Sequence, residues 1–338
     1  MNYLTITGLR HLRMPMIGLG TWRAPPEEVQ NSVLQALDIG YRHIDTAFNY
    51  NNEEAIGLAI EKWLEMGKGS REDLFITTKL PHIGNRSKDV EQFLKLSLNR
   101  LKLDYVDLYL IHMPFAFQMN ESTMTPLQNP DGTFVLDLET DNVATWAAME
   151  EQVRNGYVKA IGLSNFNAEQ IANIYQHSTI KPSVLQVEMH AYCQQTQLIK
   201  DCRLMNISLT AYAPLGSPGA QMHFSKKYNY NLANYPDILG QPVVGRIAEK
   251  HRKTNGQILL RHLLQKDVSV IPKSTNSERL KENFNVLNFT LDDGDMEDLN
   301  NLDKGEDGRI FDFKFFAGVE KHPEYPFQNL LRKTEELA

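Results

Sequence analysis

The sequence predicts an α/β fold: a (β/α)8 TIM barrel with an N-terminal β-hairpin closing its bottom and long loops on its C-terminal face. Three observations predict it. Eight short apolar runs, rich in β-branched and aromatic residues, alternate with stretches of helical period. The chain's 338 residues suit one such barrel, and 42% hydrophobic content suits a large buried core. The first run ends "GLGTW" (18–22), without the Gly-rich phosphate turn that an open doubly wound sheet carries after its first strand.

Taken in order, residues 3–15 read as a hairpin turning near Gly8. The eight runs are "MIGLGT" (16–21), "HIDTA" (43–47), "LFITTKL" (74–80), "VDLYLIH" (106–112), "AIGLSN" (160–165), "VLQVEM" (184–189), "SLTAYAP" (208–214) and "VSVIPKS" (268–274). Between them lie apolar stripes at helical spacing: Val29, Val33, Ala36 and Leu37; Ile56, Ala59, Ile60 and Trp63; Val90, Phe93, Leu94 and Leu101; Trp146, Met149 and Val153; Ile171 and Ile174. A weaker stripe falls near 196–205, and helical patterns return at 256–266 and 277–287. Residues 113–141 and 215–240 read as long irregular loops, and loops of that length are more often functional than accidental. No composition shift marks a second domain, so residues 1–338 read as one. The aromatic-rich tail, 305–338, is expected to pack over the active-site face.

Composition excludes several classes. A net charge of −7 without a Lys/Arg block argues against nucleic acid or an anionic membrane as partner. Two cysteines, Cys193 and Cys202, suit a reducing compartment, and the ten histidines show no zinc spacing, so no metal is expected. The start lacks an apolar signal core, and no run approaches the ~20 residues of a membrane helix. The expectation is a cytoplasmic protein, and nothing demands more than a monomer.

Chemistry in such barrels sits at the C-terminal ends of the strands. Every run delivers a polar or aromatic group there: Trp22; Asp45 and Tyr50; Lys79; His112; Ser164 and Asn165; Gln186 and Glu188; Tyr212; Lys273 and Ser274. Runs two to four are neighbours, so Asp45, Tyr50, Lys79 and His112 should cluster. An ammonium close to a phenol favours the phenolate and makes the tyrosine a usable acid. Asp45 would keep Lys79 charged, and His112 would donate to the oxygen being protonated. That is a proton-donating pocket for a carbonyl oxygen, and it needs a cofactor for the remaining electrons. The same four residues also read as a buried Asp–Lys ion pair beside a satisfied tyrosine and histidine, and spacing alone leaves both readings open.

The motifs "GLGTW", "HIDTAFNYNNEEAIG" (43–57), "LFITTKL", "VDLYLIHMP" (106–114), "AIGLSNF" (160–166), "AYAPLGS" (211–217) and "IPKSTNSERLKENF" (271–284) resemble those of the aldo-keto reductases, in order and spacing, along essentially the whole chain. The resemblance implies reduction of small-molecule aldehydes and ketones with NADPH. Tyr50 would be the general acid, Lys79 its tuner, Asp45 the holder of the lysine, and His112 the group orienting the carbonyl. Ser164, Asn165 and Gln186 would hold the nicotinamide carboxamide, and Tyr212 would stack on its ring. Gly20, Thr21 and Trp22 would line the cofactor groove, with Leu215 and Ser217 at the pyrophosphate. Lys273, Ser274, Thr275 and Arg279 would take the 2′-phosphate of NADP beside a helix start, where cations and a hydroxyl suit a dianion, and Asn283 would reach the adenine.

Some residues depart from the pattern. Met113 stands where tryptophan is frequent, Asn276 where threonine is, and Phe48 and Asn49 are uncommon. Trp22, Phe48, Met113 and Phe115 together predict an apolar substrate pocket. The ending "FDFKFFAGVEKHPEYPF" (311–327) resembles insect members, which include reductases of ecdysteroid ketones and isoprenoid aldehydes. Alternatives are a barrel that binds NADPH as a sensor or structural protein, and a sugar-phosphate enzyme, which would need a substrate anion site.

Overall fold

The computed structural model describes residues 2–7, 12–232 and 235–328. Strands β1 (Tyr3–Ile6) and β2 (Leu12–Pro15) pair antiparallel, with Tyr3 opposite Pro15 and Ile6 opposite Leu12. The expected turn at Gly8 lies outside the described residues. Ile6 and Met14 are fully buried and pack on Phe75, Leu108, Leu110, Ala160 and Val184, so the hairpin plugs one end of the sheet that follows.

That sheet holds β3 (Leu19–Gly20), β4 (His43–Asp45), β5 (Phe75–Leu80), β6 (Val106–Ile111), β9 (Val158–Ser164), β10 (Val184–Glu188), β11 (Ser208–Tyr212) and β12 (Val268–Val270), all parallel and each beside the next. The short β7 (Met119–Asn120) and β8 (Thr125–Pro126) form a separate ladder inside the 113–141 loop. Closure is made by hydrogen bonds from the Gly18 amide to the Val270 carbonyl (2.9 Å) and from the Val270 amide to the Met16 carbonyl (2.8 Å). The eight strands are the eight apolar runs of the sequence, and the (β/α)8 barrel is as expected.

Gly20 shows why closure needs a glycine. A Cβ there would lie 2.5 Å from the Ile271 carbonyl oxygen, which is backbone and cannot swing away. Gly20→Ala should therefore destabilise the protein by about 1–3 kcal/mol. The measurement is the urea midpoint at constant slope; an unmoved midpoint would show that the seam tolerates a side chain.

Helices α1 (Pro26–Ile39), α2 (Glu53–Glu65), α3 (Val90–Leu101), α4 (Asn142–Arg154), α5 (Ala168–His177), α6 (Thr196–Leu204), α9 (Asn255–Leu264) and α10 (Ser277–Phe284) occupy the predicted stripes. Their starts are set locally. Pro26 opens α1, where its missing amide costs nothing, and Asn167 and Thr254 cap α5 and α9 in reciprocal boxes with Gln170 and Gln257.

Three further helices were not legible: α7 (Ala220–Tyr228), inside the stretch expected to be irregular, α8 (Pro242–His251) and α11 (Asp293–Asn300). In α7 only Ala220 and Phe224 are buried, and in α11 only Asp295 and Leu299, too few to form a stripe. Among the described residues no helix is long and apolar enough to cross a membrane.

Candidate active site

Asp45 is the last residue of β4, and Lys79 the fifth of the six in β5, the next strand. Both are sealed from solvent, and the Lys79 ammonium donates to Asp45 Oδ1 at 2.6 Å and to the Thr46 carbonyl at 2.9 Å. After β4 a 3-10 turn, Phe48–Tyr50, brings the Tyr50 hydroxyl to 3.4 Å from Lys79 Nζ. Asn51, at φ 55°, ends the turn, and Asn52 pins the loop by donating to the carbonyls of Thr21 (2.9 Å) and Ala24 (3.0 Å). His112 follows β6, its ring 5.8 Å from that of Tyr50. All four predicted residues are thus together, and Gln186 joins them: its side-chain amide donates to Asp45 Oδ2 at 2.7 Å.

The electrostatics differ from expectation in one respect. Burial first, and the Asp45 carboxylate second, hold the Tyr50 phenol well above its ordinary range. The expected acidification by Lys79 is not seen. The ammonium contacts Asp45 more closely than the phenol, and burial depresses its own pKa against the pull of Asp45. Burial, then Lys79 and His82, push His112 well down. At neutral pH the pocket therefore offers an intact phenol O–H and an uncharged imidazole, both able to meet a carbonyl oxygen.

The remaining rim residues fall into three groups. Asn165, at φ 65°, donates to the His112 carbonyl (2.9 Å), Ser164 Oγ (3.1 Å) and Met113 Sδ (3.3 Å), and accepts from the Tyr212 hydroxyl (2.8 Å). Ser164, Asn165 and Tyr212 therefore stand together, while the Gln186 amide is turned to Asp45. Thr21 is buried and its hydroxyl donates to the Asp45 carbonyl at 2.9 Å, so that side chain fixes the end of β4 and is turned away from a groove.

Lys273 pairs across the barrel seam with Gly20. Its pKa is lowered, by burial first and, against Glu28, by the like charges of Arg23 and Arg279. Asn276, the departure from the family pattern, caps α10 by accepting from the Arg279 amide at 3.0 Å. Ser274 Oγ accepts from the Asn276 amide at 3.1 Å. Leu215 and Ser217 lie in a loop with positive φ at Ala213, Gly216 and Ser217, and Tyr235 donates to the Gly216 and Ser217 carbonyls. Thr275 is half-buried, and Asn283 is buried on α10.

Of the predicted pocket residues, Trp22 packs edge-on to Phe311 of the tail at 5.5 Å. Phe48 is a correction. Its ring meets Phe93 of α3 at 5.0 Å and lies under the Arg100 guanidinium at 4.1 Å. A 3-10 turn has three residues per turn, so Phe48 and Tyr50 point in different directions, and Phe48 faces the helix layer. Phe115 is fully buried, covered by Phe313 and Phe316, and backs the pocket wall without lining it.

Sequence reading missed Arg23, although it directly follows "GLGTW". It also missed the role of Glu188. That buried carboxylate accepts from His190 Nε2 (2.9 Å) and from the amides of Ile310 (2.8 Å) and Phe311 (3.0 Å), with the Arg309 guanidinium at 3.7 Å. It thereby fastens the start of the tail so that Phe311 meets Tyr212 at 5.3 Å. Among the described residues no group of three His, Cys, Asp or Glu side chains is placed to hold a metal.

Comparison with known proteins gives this geometry its context. Residues 16–304 match the model of the aldo/keto reductase family. The chain is 41% identical to aldo-keto reductase family 1 member A1 of Gallus gallus over 322 residues, covering 94% of this chain and 95% of that one. It is 42% identical, over the same length, to the Xenopus tropicalis protein of that name. The solved structure of the aldose reductase from Schistosoma japonicum superimposes with a TM-score of 0.86 at 39% identity, covering 97% of this chain and 99% of that one. The chain belongs to the aldo/keto reductase family and is an oxidoreductase of carbonyl groups.

Proposed function

We propose that this reductase uses NADPH, that Tyr50 is its general acid, and that its substrates are apolar aldehydes and ketones. The observation that carries the reading is the contact chain Gln186–Asp45–Lys79–Tyr50, with the His112 ring beside the phenol. NADPH, when bound, supplies the hydride. Tyr50 gives its proton to the oxygen of the carbonyl group as negative charge grows there. His112, uncharged, orients that oxygen by a hydrogen bond. Lys79 is held by Asp45 and the Thr46 carbonyl, and stands ready to stabilise the phenolate left behind.

The residues suit the cofactor. Ser164, Asn165 and Tyr212 form one polar cluster at the rim for the nicotinamide. Lys273 and Arg279, with Ser274 beside the α10 start, suit the 2′-phosphate, and Arg23 adds a third cation. The half-buried Trp22, packed against Phe311 of the tail, gives the rim an aromatic surface that suits a large apolar compound such as an ecdysteroid ketone or an isoprenoid aldehyde. The same reading takes residues 1–338 as one domain, its tail closing the active-site face, in a monomeric cytoplasmic protein without nucleic-acid or membrane partners.

The test is NADPH absorbance on mixing the protein with a panel of apolar aldehydes and ketones. Steady oxidation is expected. Binding of NADPH without oxidation across the panel would assign the barrel to cofactor binding alone.

A further inference from the structure

Two residues beyond the end of β5, His82 is only 6% exposed. Its ring stands edge-on to Phe117 of the 113–141 loop (5.0 Å, 71°) and to Phe316 of the tail (5.4 Å, 80°). Its carbonyl accepts the Phe117 amide at 3.0 Å. The His112 amide in turn donates to the Leu80 carbonyl at 3.3 Å, so the two histidines leave adjacent strands on one rim. His82 therefore sits where the barrel rim, the long loop and the tail meet.

An imidazole in an aromatic wall is an odd choice unless its nitrogens meet something, because a buried unmatched polar group is costly where phenylalanine would pack freely. Nδ1 of His82 is buried with no hydrogen-bond partner among the described residues. Burial first, then the charge of Lys227, push the imidazole down to about 3. The ring is thus neutral and carries one N–H donor and one lone pair. That combination matches a hydroxyl, or through the N–H alone a second carbonyl oxygen.

We propose that His82 is a specificity-determining contact that hydrogen-bonds a second oxygen, hydroxyl or carbonyl, on the compound whose reacting carbonyl lies at Tyr50 and His112. The assignment rests on the reductase reading above and sharpens it: the preferred substrates are apolar in bulk but doubly oxygenated. A site built to hydrogen-bond a group discriminates against the analogue lacking it far more strongly than an apolar pocket discriminates between chain lengths.

The experiment uses hydroxy ketones in which the hydroxyl steps along the chain, each paired with its deoxy counterpart. Turnover is followed by NADPH absorbance in the wild type, His82→Phe and His82→Gln. Phenylalanine keeps the ring contacts with Phe117 and Phe316. For the best hydroxylated substrate, the ratio of its kcat/KM to that of its deoxy partner should fall about tenfold or more in His82→Phe, mainly through KM. Glutamine, with its own donor and acceptor, should restore part of that ratio. An unchanged ratio, or equal losses on both members of each pair, would overturn the assignment. Should the phenylalanine variant fail to fold, His82→Ala gives the same ratio test. A wild type that oxidises NADPH with no carbonyl compound would instead sink the reductase reading itself.

Discussion

Replacing Tyr50 by phenylalanine should abolish carbonyl reduction while leaving NADPH affinity within about twofold. Only a hydroxyl is removed. The ring stays, and with it the packing on His112 and the place of the Phe48–Tyr50 turn. Among the described residues the hydroxyl's one hydrogen bond is the long one from Lys79 at 3.4 Å, and Lys79 keeps Asp45 and the Thr46 carbonyl as partners without it. Structural cost should therefore be small. Catalytic cost should be large, since a positioned general acid contributes roughly 10²–10⁴-fold. The phenol also solvates the growing oxyanion beside buried Asp45, Lys79 and His112, which places the expected fall at the upper end of that range. Stopped-flow turnover and cofactor titration of the same preparation give both quantities. A variant that keeps near-wild-type rates would remove Tyr50 from the chemistry.

The double substitution Lys273→Met with Arg279→Ala should weaken NADPH about 100-fold, if each charge-assisted contact to the 2′-phosphate contributes about 1.5 kcal/mol. NADH, which carries a bare hydroxyl there, should change only slightly. The contrast is informative because the fold around the site should persist. Asn276 still caps α10 through the Arg279 amide, which an alanine retains. Removing two of three neighbouring cations also relieves their mutual repulsion. Dissociation constants for both cofactors at one ionic strength decide the matter, and equal losses would mean that no phosphate is recognised there.

How far the sequence reveals this molecule depends on the range of the forces involved. All eight strands of the barrel were legible, because a strand enclosed by helices must be a short apolar run of β-branched residues, as in "FITTKL" and "VDLYLI". The clustering of Asp45, Tyr50, Lys79 and His112 followed from strand adjacency. The helices α7 and α11 were not legible, since each buries only two side chains. Phe48 was misassigned because sequence spacing does not show on which side of a one-turn helix a ring emerges. The direction of the Tyr50 shift was also misjudged. Proximity to Lys79 can be guessed from sequence, but the degree of burial that outweighs it cannot. Glu188 holding the amides of residues 310 and 311 spans more than a hundred residues, and no local pattern announces such a clasp.

The most direct test of the central claim follows a label. NADPH carrying deuterium at one or the other face of nicotinamide C4 is incubated with the enzyme and an aldehyde, and the alcohol is analysed by mass and proton resonance. If the dinucleotide binds at one rim opposite Tyr50, as proposed, the barrel should transfer deuterium from one face only, placing a single deuterium on the former carbonyl carbon. An alcohol without deuterium from either labelled cofactor, or equal transfer from both faces, would contradict the account.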